Sequence, residues 1–261
     1  MNSLQEKTVV VMGLAPRGIA IAIGQEVVAR GGRVIYSVQS DRHFKLMKHR
    51  GFSSEELEHI EKQRVCPCDV TDKSQIQLFF ENIGEIGEWV DGLAHCLAFA
   101  KPKTMLGDSL FEANSEDIAS AFDVSAASLV HVMKYAQPYM RSPSSVVALT
   151  FESQRILPGY AWMHHCKAAL DAAVRGLAYE LGGEGIRVNA VSAGPLDTMS
   201  AKAIPGFEKI LEPWDNRSPL GWNFGTGRHL VAQAACDLLG SLEGVTGHIL
   251  PVDGGFHLSM F

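Results

Sequence analysis

Two side chains near the middle of the chain have the types and spacing for proton chemistry. Tyr160 and Lys167 stand seven residues apart, two helical turns, which puts both on one helix face. A phenol can hydrogen-bond a carbonyl oxygen or give it a proton, and a nearby ammonium favours the negative charge that develops in such a step. Such a pair also occurs by chance, so its meaning depends on its surroundings. His164 and His165 lie in the same segment, and their simplest reading is structural.

A second group points to an anionic ligand. Gly13 and Gly18 bracket a short turn between the β-rich run Thr8–Met12 and a helical repeat carrying Ile19, Ile23 and Val27. Glycines at a strand-to-helix turn let the backbone and the free amides of the helix start approach a pyrophosphate. The spacing departs from G-x-G-x-x-G, so a tight structural turn is the competing reading. Arg17 is a candidate phosphate contact, or a solvent-facing turn residue. Gln39 follows the next predicted strand, where dinucleotide folds usually carry an acidic residue for the ribose. Beyond it, Arg42, His43 and Lys45 offer charge for a 2′-phosphate, so NADH and NADPH both stay open. Asp69 and Val70 follow a third strand, where a carboxylate can accept the adenine amino group or simply cap a helix.

These groups need elements to hold them, and strands alternate with helical patterns along almost the whole chain. Strands are expected at 7–12, 33–38, 65–67, 92–98, 145–150, 186–191 and 248–252. Helices fill the intervals, including a long one starting at Asn114 or Ser115 and running past Met133, and another over 160–181. This alternation predicts an α/β fold, a Rossmann-like doubly wound parallel sheet with helices on both faces. Residues 1–261 read as one domain. Within it, the proline-rich stretch 199–220 reads as a substrate-covering segment, where Met199, Ala203, Ile204, Phe207, Ile210 and Leu211 offer an apolar lining.

Composition narrows the function classes. The chain has 261 residues, 46% apolar and 20% charged, which excludes a disordered chain. A net charge of −6 argues against non-specific nucleic-acid binding, which needs a basic footprint. The five cysteines are scattered, and Cys66-Pro67-Cys68 has no second ligand pair at zinc spacing, so no metal site is expected. The segment 1–7 lacks the order of a secretory signal, and no apolar run reaches the ~20 residues of a membrane span. A cytoplasmic protein is the expectation.

Several ordered blocks carry a family likeness: Val11-Met-Gly-Leu-Ala-Pro-Arg-Gly-Ile-Ala20, Cys68-Asp-Val70, His95-Cys-Leu-Ala-Phe99, Arg155-Ile-Leu-Pro-Gly-Tyr-Ala-Trp-Met-His-His-Cys-Lys167, Gly185-Ile-Arg-Val-Asn189, Ser192-Ala-Gly-Pro-Leu-Asp-Thr198 and Val252-Asp-Gly-Gly255. Over essentially its full length the chain resembles the short-chain dehydrogenase/reductase superfamily, and within it the enoyl-[acyl-carrier-protein] reductase (NADH) branch. Three details separate it from ordinary ketone reducers. Val147 stands thirteen positions before Tyr160, where those enzymes carry a serine. Asp123 stands where they carry an asparagine. The glycine turn lacks their T-G-x-x-x-G-I-G form, and it is one residue shorter than is usual in the enoyl branch.

The resemblance implies an enoyl-thioester reductase of fatty-acid or specialised acyl biosynthesis. Hydride would pass from NADH or NADPH, with NADH slightly favoured, to the β-carbon of a trans-2-enoyl thioester carried on acyl carrier protein or coenzyme A. Tyr160 would bond the thioester carbonyl, and Lys167 would hold the nicotinamide ribose. The cofactor would also meet Gly13, Arg17, Gly18, Ile19, Gln39, Asp69, Val70, Cys96, Leu97, Ala98, Gly194, Pro195, Leu196 and Thr198. Phe151 resembles the mycobacterial long-chain type and would line the substrate with Tyr160, Met199, Ala203, Ile204 and Phe207. Strand-end packing is the competing role for Phe151. A homo-oligomer, expected as a tetramer, would form through the helices around Ala126–Met133 and after Tyr160. Competing readings are a related enzyme acting on another carbonyl or activated alkene, and an inactive nucleotide-binding protein.

Overall fold

A computed structural model describes residues 3–259. Seven strands form one parallel sheet: β1 (Thr8–Met12), β2 (Arg33–Val38), β3 (Arg64–Pro67), β4 (Val90–His95), β5 (Met140–Thr150), β6 (Ile186–Ala193) and β7 (Ile249–Val252). Their order is β3-β2-β1-β4-β5-β6-β7. The chain winds outward from β1 in one direction and from β4 in the other. The crevice between those two strands therefore opens at their carboxyl ends, where open α/β sheets bind ligands.

The strands read as continuous apolar runs because both faces are covered. In β1, Val9 and Val11 join the core beneath α1 (Ile19–Ala29) and α11 (Gly227–Gly240), while Val10 and Met12 join the opposite core. That second core takes Ile76 and Phe80 of α4 (Lys73–Glu85), Leu129 and Met133 of α7 (Ser128–Ala136) and Leu170 and Val174 of α8 (Ala161–Leu181). The remaining helices are α2 (Asp41–Arg50), α3 (Ser54–Glu61), α5 (Pro102–Met105), α6 (Ser115–Phe122), α9 (Met199–Lys202) and α10 (Phe207–Arg217). Asp72 caps α4 and Asn114 caps α6 through their side chains, each accepting a backbone N–H of the first turn.

Several elements differ from expectation; β4 spans Val90–His95 and ends three residues earlier than expected. The long helix after Asn114 is interrupted by a π turn over Asp123–Ala127. Ser125 Oγ bonds both the N–H and the carbonyl of Phe99, at 2.9 and 3.1 Å. Ser128 Oγ donates to the Val124 carbonyl at 2.7 Å and meets His95 Nε2 at 2.8 Å. The widened turn aims both hydroxyls at the end of β4, a common use of π bulges. Strand β5 begins five residues earlier than expected and β6 runs two further, to Ala193. Among the described residues no helix is long and apolar enough to cross a membrane, and no cluster of three or more His, Cys, Asp or Glu is arranged to hold a metal.

Candidate active site

The site follows the carboxyl ends of the strands. Gly13 leaves β1 at φ +89°, and a Cβ there would lie 2.7 Å from the Cys96 carbonyl and 2.9 Å from Leu97 Cδ2. The glycine turn and the end of β4 thus touch, which only a glycine permits. Gly18 caps α1 with extended backbone and no side-chain bond, leaving the first amides of α1 without a side-chain acceptor. Arg17 between them is left-handed, at φ +53°. Its N–H is held by Glu56 Oε1 at 3.0 Å. The same buried carboxylate accepts Ser53 N–H at 2.9 Å and lies 3.8 Å from Arg228 Nη1. Sequence reasoning missed Glu56 and Arg228. The Ser53-x-x-Glu56 pattern was visible, but as a capping box it explains only the start of α3.

Gln39 and Asp69 meet, with Gln39 Nε2 donating to Asp69 Oδ2 at 3.2 Å. Burial pushes the Asp69 pKa up, yet Thr71 N–H, Thr71 Oγ1 and Gln39 outweigh it and hold the carboxyl below its usual range. Asp69 is therefore an acceptor at neutral pH. Val70 turns its side chain into the core. Cys96 and Leu97 are half-buried and Ala98 is exposed. Across the crevice, a Cβ on Gly194 would lie 2.6 Å from the Trp222 ring, whose Nε1 donates to the Pro195 carbonyl at 2.7 Å. Leu196 is buried. Thr198 caps α9, accepting Ala201 N–H at 3.1 Å. The pinched glycine turn, the open amides of α1 and the floor of Cys96–Ala98 and Gly194–Leu196 fit an extended dinucleotide.

At the chemical end, Tyr160 is the residue before α8, and Ala161 beside it has φ +27°. The Tyr160 ring is buried edge-on between Phe151, at 5.1 Å, and His164, at 5.0 Å. Its hydroxyl has no hydrogen-bond partner among the described residues. Burial pushes its pKa above the usual phenol value, with Cys166 adding to this, so it is a proton-bearing donor at neutral pH. Lys167, also buried, donates to the Leu149 carbonyl at 2.8 Å. Burial pulls its pKa down to about 8, against the charges of Asp171, Cys166 and Cys96. Its Nζ is turned toward β5.

The two histidines of α8 have different surroundings. His164 Nε2 accepts the Leu157 N–H at 2.7 Å and its Nδ1 meets the Glu152 carbonyl at 3.2 Å, while His165 is exposed against Trp162. Asp171, one turn beyond Lys167, takes the Ser153 hydroxyl at 2.6 Å. Burial raises its pKa above the ordinary range. Val147 is fully buried in β5 and offers no polar atom. Asp123 is half-buried and lies 3.7 Å from His131.

The covering segment supplies a narrower lining than expected. Phe207 is buried and Ile204 half-buried beside Gly159. Met199 is 53% exposed, and Ala203 is also exposed. Helix α9 is a single turn with no inward stripe, so neither joins the rings around Tyr160. The side chain of Ile210 lies outside the described residues. Instead Phe207, Leu211 and Trp214 share one face of α10. Trp214 stacks on Phe151 at 6.0 Å and on Phe256 at 3.6 Å. The strand-end loop is tied down by Arg155, whose guanidinium donates to the Phe256 carbonyl at 3.2 Å and to the His257 carbonyl.

A parallel sheet of this order, a glycine turn feeding α1, and a tyrosine and lysine at the start of α8 define a dinucleotide-dependent oxidoreductase of the short-chain dehydrogenase/reductase class. The family profile described as enoyl-(acyl carrier protein) reductase matches residues 13–257. The enoyl-[acyl-carrier-protein] reductase [NADH] of Bacillus subtilis (strain 168) is 36% identical over 260 residues, covering 98% of each chain. The enoyl-[acyl-carrier-protein] reductase [NADPH] of Staphylococcus aureus (strain MRSA252) is 35% identical over 266 residues, covering 98% of this chain and 99% of its own. The chain belongs to the enoyl-(acyl carrier protein) reductase family.

Proposed function

We propose that the protein is an NAD(P)H-dependent enoyl-thioester reductase acting on trans-2-enoyl groups carried by acyl carrier protein or coenzyme A. The observation that carries this reading is the proton-bearing, unpartnered hydroxyl of the largely buried Tyr160 side chain, at the end of a dinucleotide crevice in a chain of this family. Val147 favours it over ketone reduction, because the second hydroxyl that would orient a carbonyl is missing.

The bound nicotinamide supplies the hydride for the β-carbon. Ile19 would offer its backbone amide to the phosphates, while Gly13 and Gly18, whose own N–H groups go to Ser37 Oγ and the Ala15 carbonyl, would let the backbone approach them, with Arg17 and Thr198 at the rim. Gln39 and Asp69 would take the adenosine. Val70, Cys96, Leu97 and Ala98 would form the floor, and Gly194, Pro195 and Leu196 would face the carboxamide. Lys167 Nζ has donors beyond the one given to Leu149, and these would meet the nicotinamide ribose. Tyr160 donates to the thioester oxygen and stabilises the charge that gathers there. Its ring position, fixed between Phe151 and His164, makes that donor preorganised. Phe151, Ile204 and Phe207 exclude water from the reacting carbons.

The relatives named for NADH and for NADPH leave both cofactors in play, and Gln39 with Arg42 nearby is compatible with either. The exposed Phe122, Val130 and Tyr179 on α6, α7 and α8 offer a face for the expected tetramer, which sedimentation equilibrium would test. The deciding experiment follows nicotinamide absorbance on adding trans-2-enoyl thioesters to the purified protein. Turnover with either cofactor supports the proposal, and none across short and long chains refutes it.

A further inference from the structure

We propose that Asp108, in the loop after β4, is a positioning residue for the reduction: acting through Gly159, it fixes the backbone from which Tyr160 reaches the thioester oxygen. This rests on the reading of Tyr160 as the carbonyl partner. Three bonds tie the loop to the residues around that tyrosine. Asp108 Oδ1 accepts the Gly159 N–H at 2.9 Å, the Gly107 N–H donates to the Gly159 carbonyl at 2.9 Å, and Trp162 Nε1 donates to the Leu110 carbonyl at 2.8 Å. Gly107 and Tyr160 also form an isolated parallel bridge.

The backbone of the tyrosine needs that support. It sits between two residues of positive φ, Gly159 at +80° and Ala161 at +27°. An alanine keeps such backbone only where its surroundings enforce it. From within its own segment, the turn is closed by the Tyr160 N–H on the Leu157 carbonyl at 3.3 Å, a long bond. On another side Gly159 meets the covering segment, since a Cβ there would lie 2.8 Å from the Pro205 carbonyl. Gly159 is buried, so removing the Asp108 carboxylate leaves a buried donor unpaired. The loop is itself anchored. Buried Asp117 of α6 accepts Lys101 Nζ, Thr104 Oγ1 at 2.6 Å and Asn114 Nδ2 at 3.2 Å, and Met105 of α5 fills the core. A braced arm therefore runs from α6 through α5 to Asp108 and ends one residue from the phenol. A misplacement of about 1 Å at a reacting group can cost about 100-fold in rate, so a carboxylate that never touches the substrate still governs it.

The test uses the full chain with saturating NADH and NADPH, and whichever of the trans-2-butenoyl, octenoyl and dodecenoyl coenzyme A thioesters the wild type reduces fastest. Asp108→Ala is expected to lower kcat about 10-fold or more, with the cofactor Kd from fluorescence titration unchanged. Asp108→Asn keeps an acceptor for Gly159 and is expected to restore most of that rate. On a Tyr160→Phe background, Asp108→Ala is expected to cost less than about twofold further, because residues that act as one unit are not additive. A general loss of packing would instead lower both backgrounds alike. A folded Asp108→Ala with wild-type kcat overturns the proposal. So does an equal loss with and without the Tyr160 hydroxyl, or an Asp108→Asn no better than Asp108→Ala. Should Asp108→Ala fail to fold, Trp162→Phe, which drops the donor to the Leu110 carbonyl, takes its place in both backgrounds, and a loss that does not depend on the Tyr160 hydroxyl overturns the proposal. No turnover by the wild type refutes the reductase reading and the positioning role with it, whereas an active wild type indifferent to Asp108 refutes only the role.

Discussion

Replacing Glu56 by alanine should weaken cofactor binding although Glu56 itself is not proposed to touch the cofactor. Its carboxylate holds the N–H of Arg17, the one left-handed non-glycine residue in the phosphate turn. Such backbone persists only where its surroundings enforce it. A hydrogen bond to a charged group is worth about 1.5–3 kcal/mol. If most of that is spent ordering the turn, its loss raises the cofactor Kd by about 10- to 100-fold. Glu56→Gln keeps an acceptor for Arg17 but drops the charge facing Arg228, and should cost only a few-fold. Fluorescence titration with NADH and NADPH gives Kd, and steady-state assays at saturating cofactor give kcat. In Glu56→Ala, kcat should stay within about twofold, since the bond acts on cofactor affinity and not on the reacting atoms. An unchanged Kd, or a lost kcat with Kd intact, would refute the reasoning.

Tyr160→Phe removes the donor to the thioester oxygen and should lower kcat by about 10²- to 10³-fold, while cofactor Kd by titration moves little. Lys167 is cationic in the folded chain only below about pH 8, so cofactor affinity should decline as pH rises through that value, and Lys167→Met should abolish the dependence. The same shift has an opposite sign for stability. Between about pH 8 and the ordinary lysine value the unfolded chain binds the extra proton, so urea denaturation should show stability from this group rising with pH in that window. Ser125→Ala removes the partner of the Phe99 N–H and carbonyl and should cost about 0.5–1.5 kcal/mol, read as a lower urea midpoint at unchanged slope.

Much of the architecture was legible because strand and helix periods are local. The runs Thr8–Met12 and Arg33–Val38 and the helix after Tyr160 fall where their patterns place them. The π turn was not legible, since Ser125 and Ser128 in it bond Phe99 and His95, which come from the distant β4 and the loop after it. The same holds for the site. Tyr160, Lys167, Gly13, Gln39 and Asp69 each stand out by type and position, but the meeting of Gln39 with Asp69 does not. Glu56, Arg228 and Trp214 do not, because each acts on a partner far away in the chain. Met199, which opens the single-turn α9, and Ala203, just after it, are both exposed, which their apolarity alone does not reveal.

The bond from Arg155 to the backbone of Phe256 and His257 makes the tail a keystone of the chemistry. A protease that clipped the chain just before Asp253 would leave Tyr160, Lys167 and the crevice chemically intact. It would free the loop that carries Phe151 and strip the outer ring from Trp214. Such a nicked enzyme should still bind dinucleotide but hold its thioester loosely, with inactivation recorded at a peptide bond more than ninety positions from the phenol.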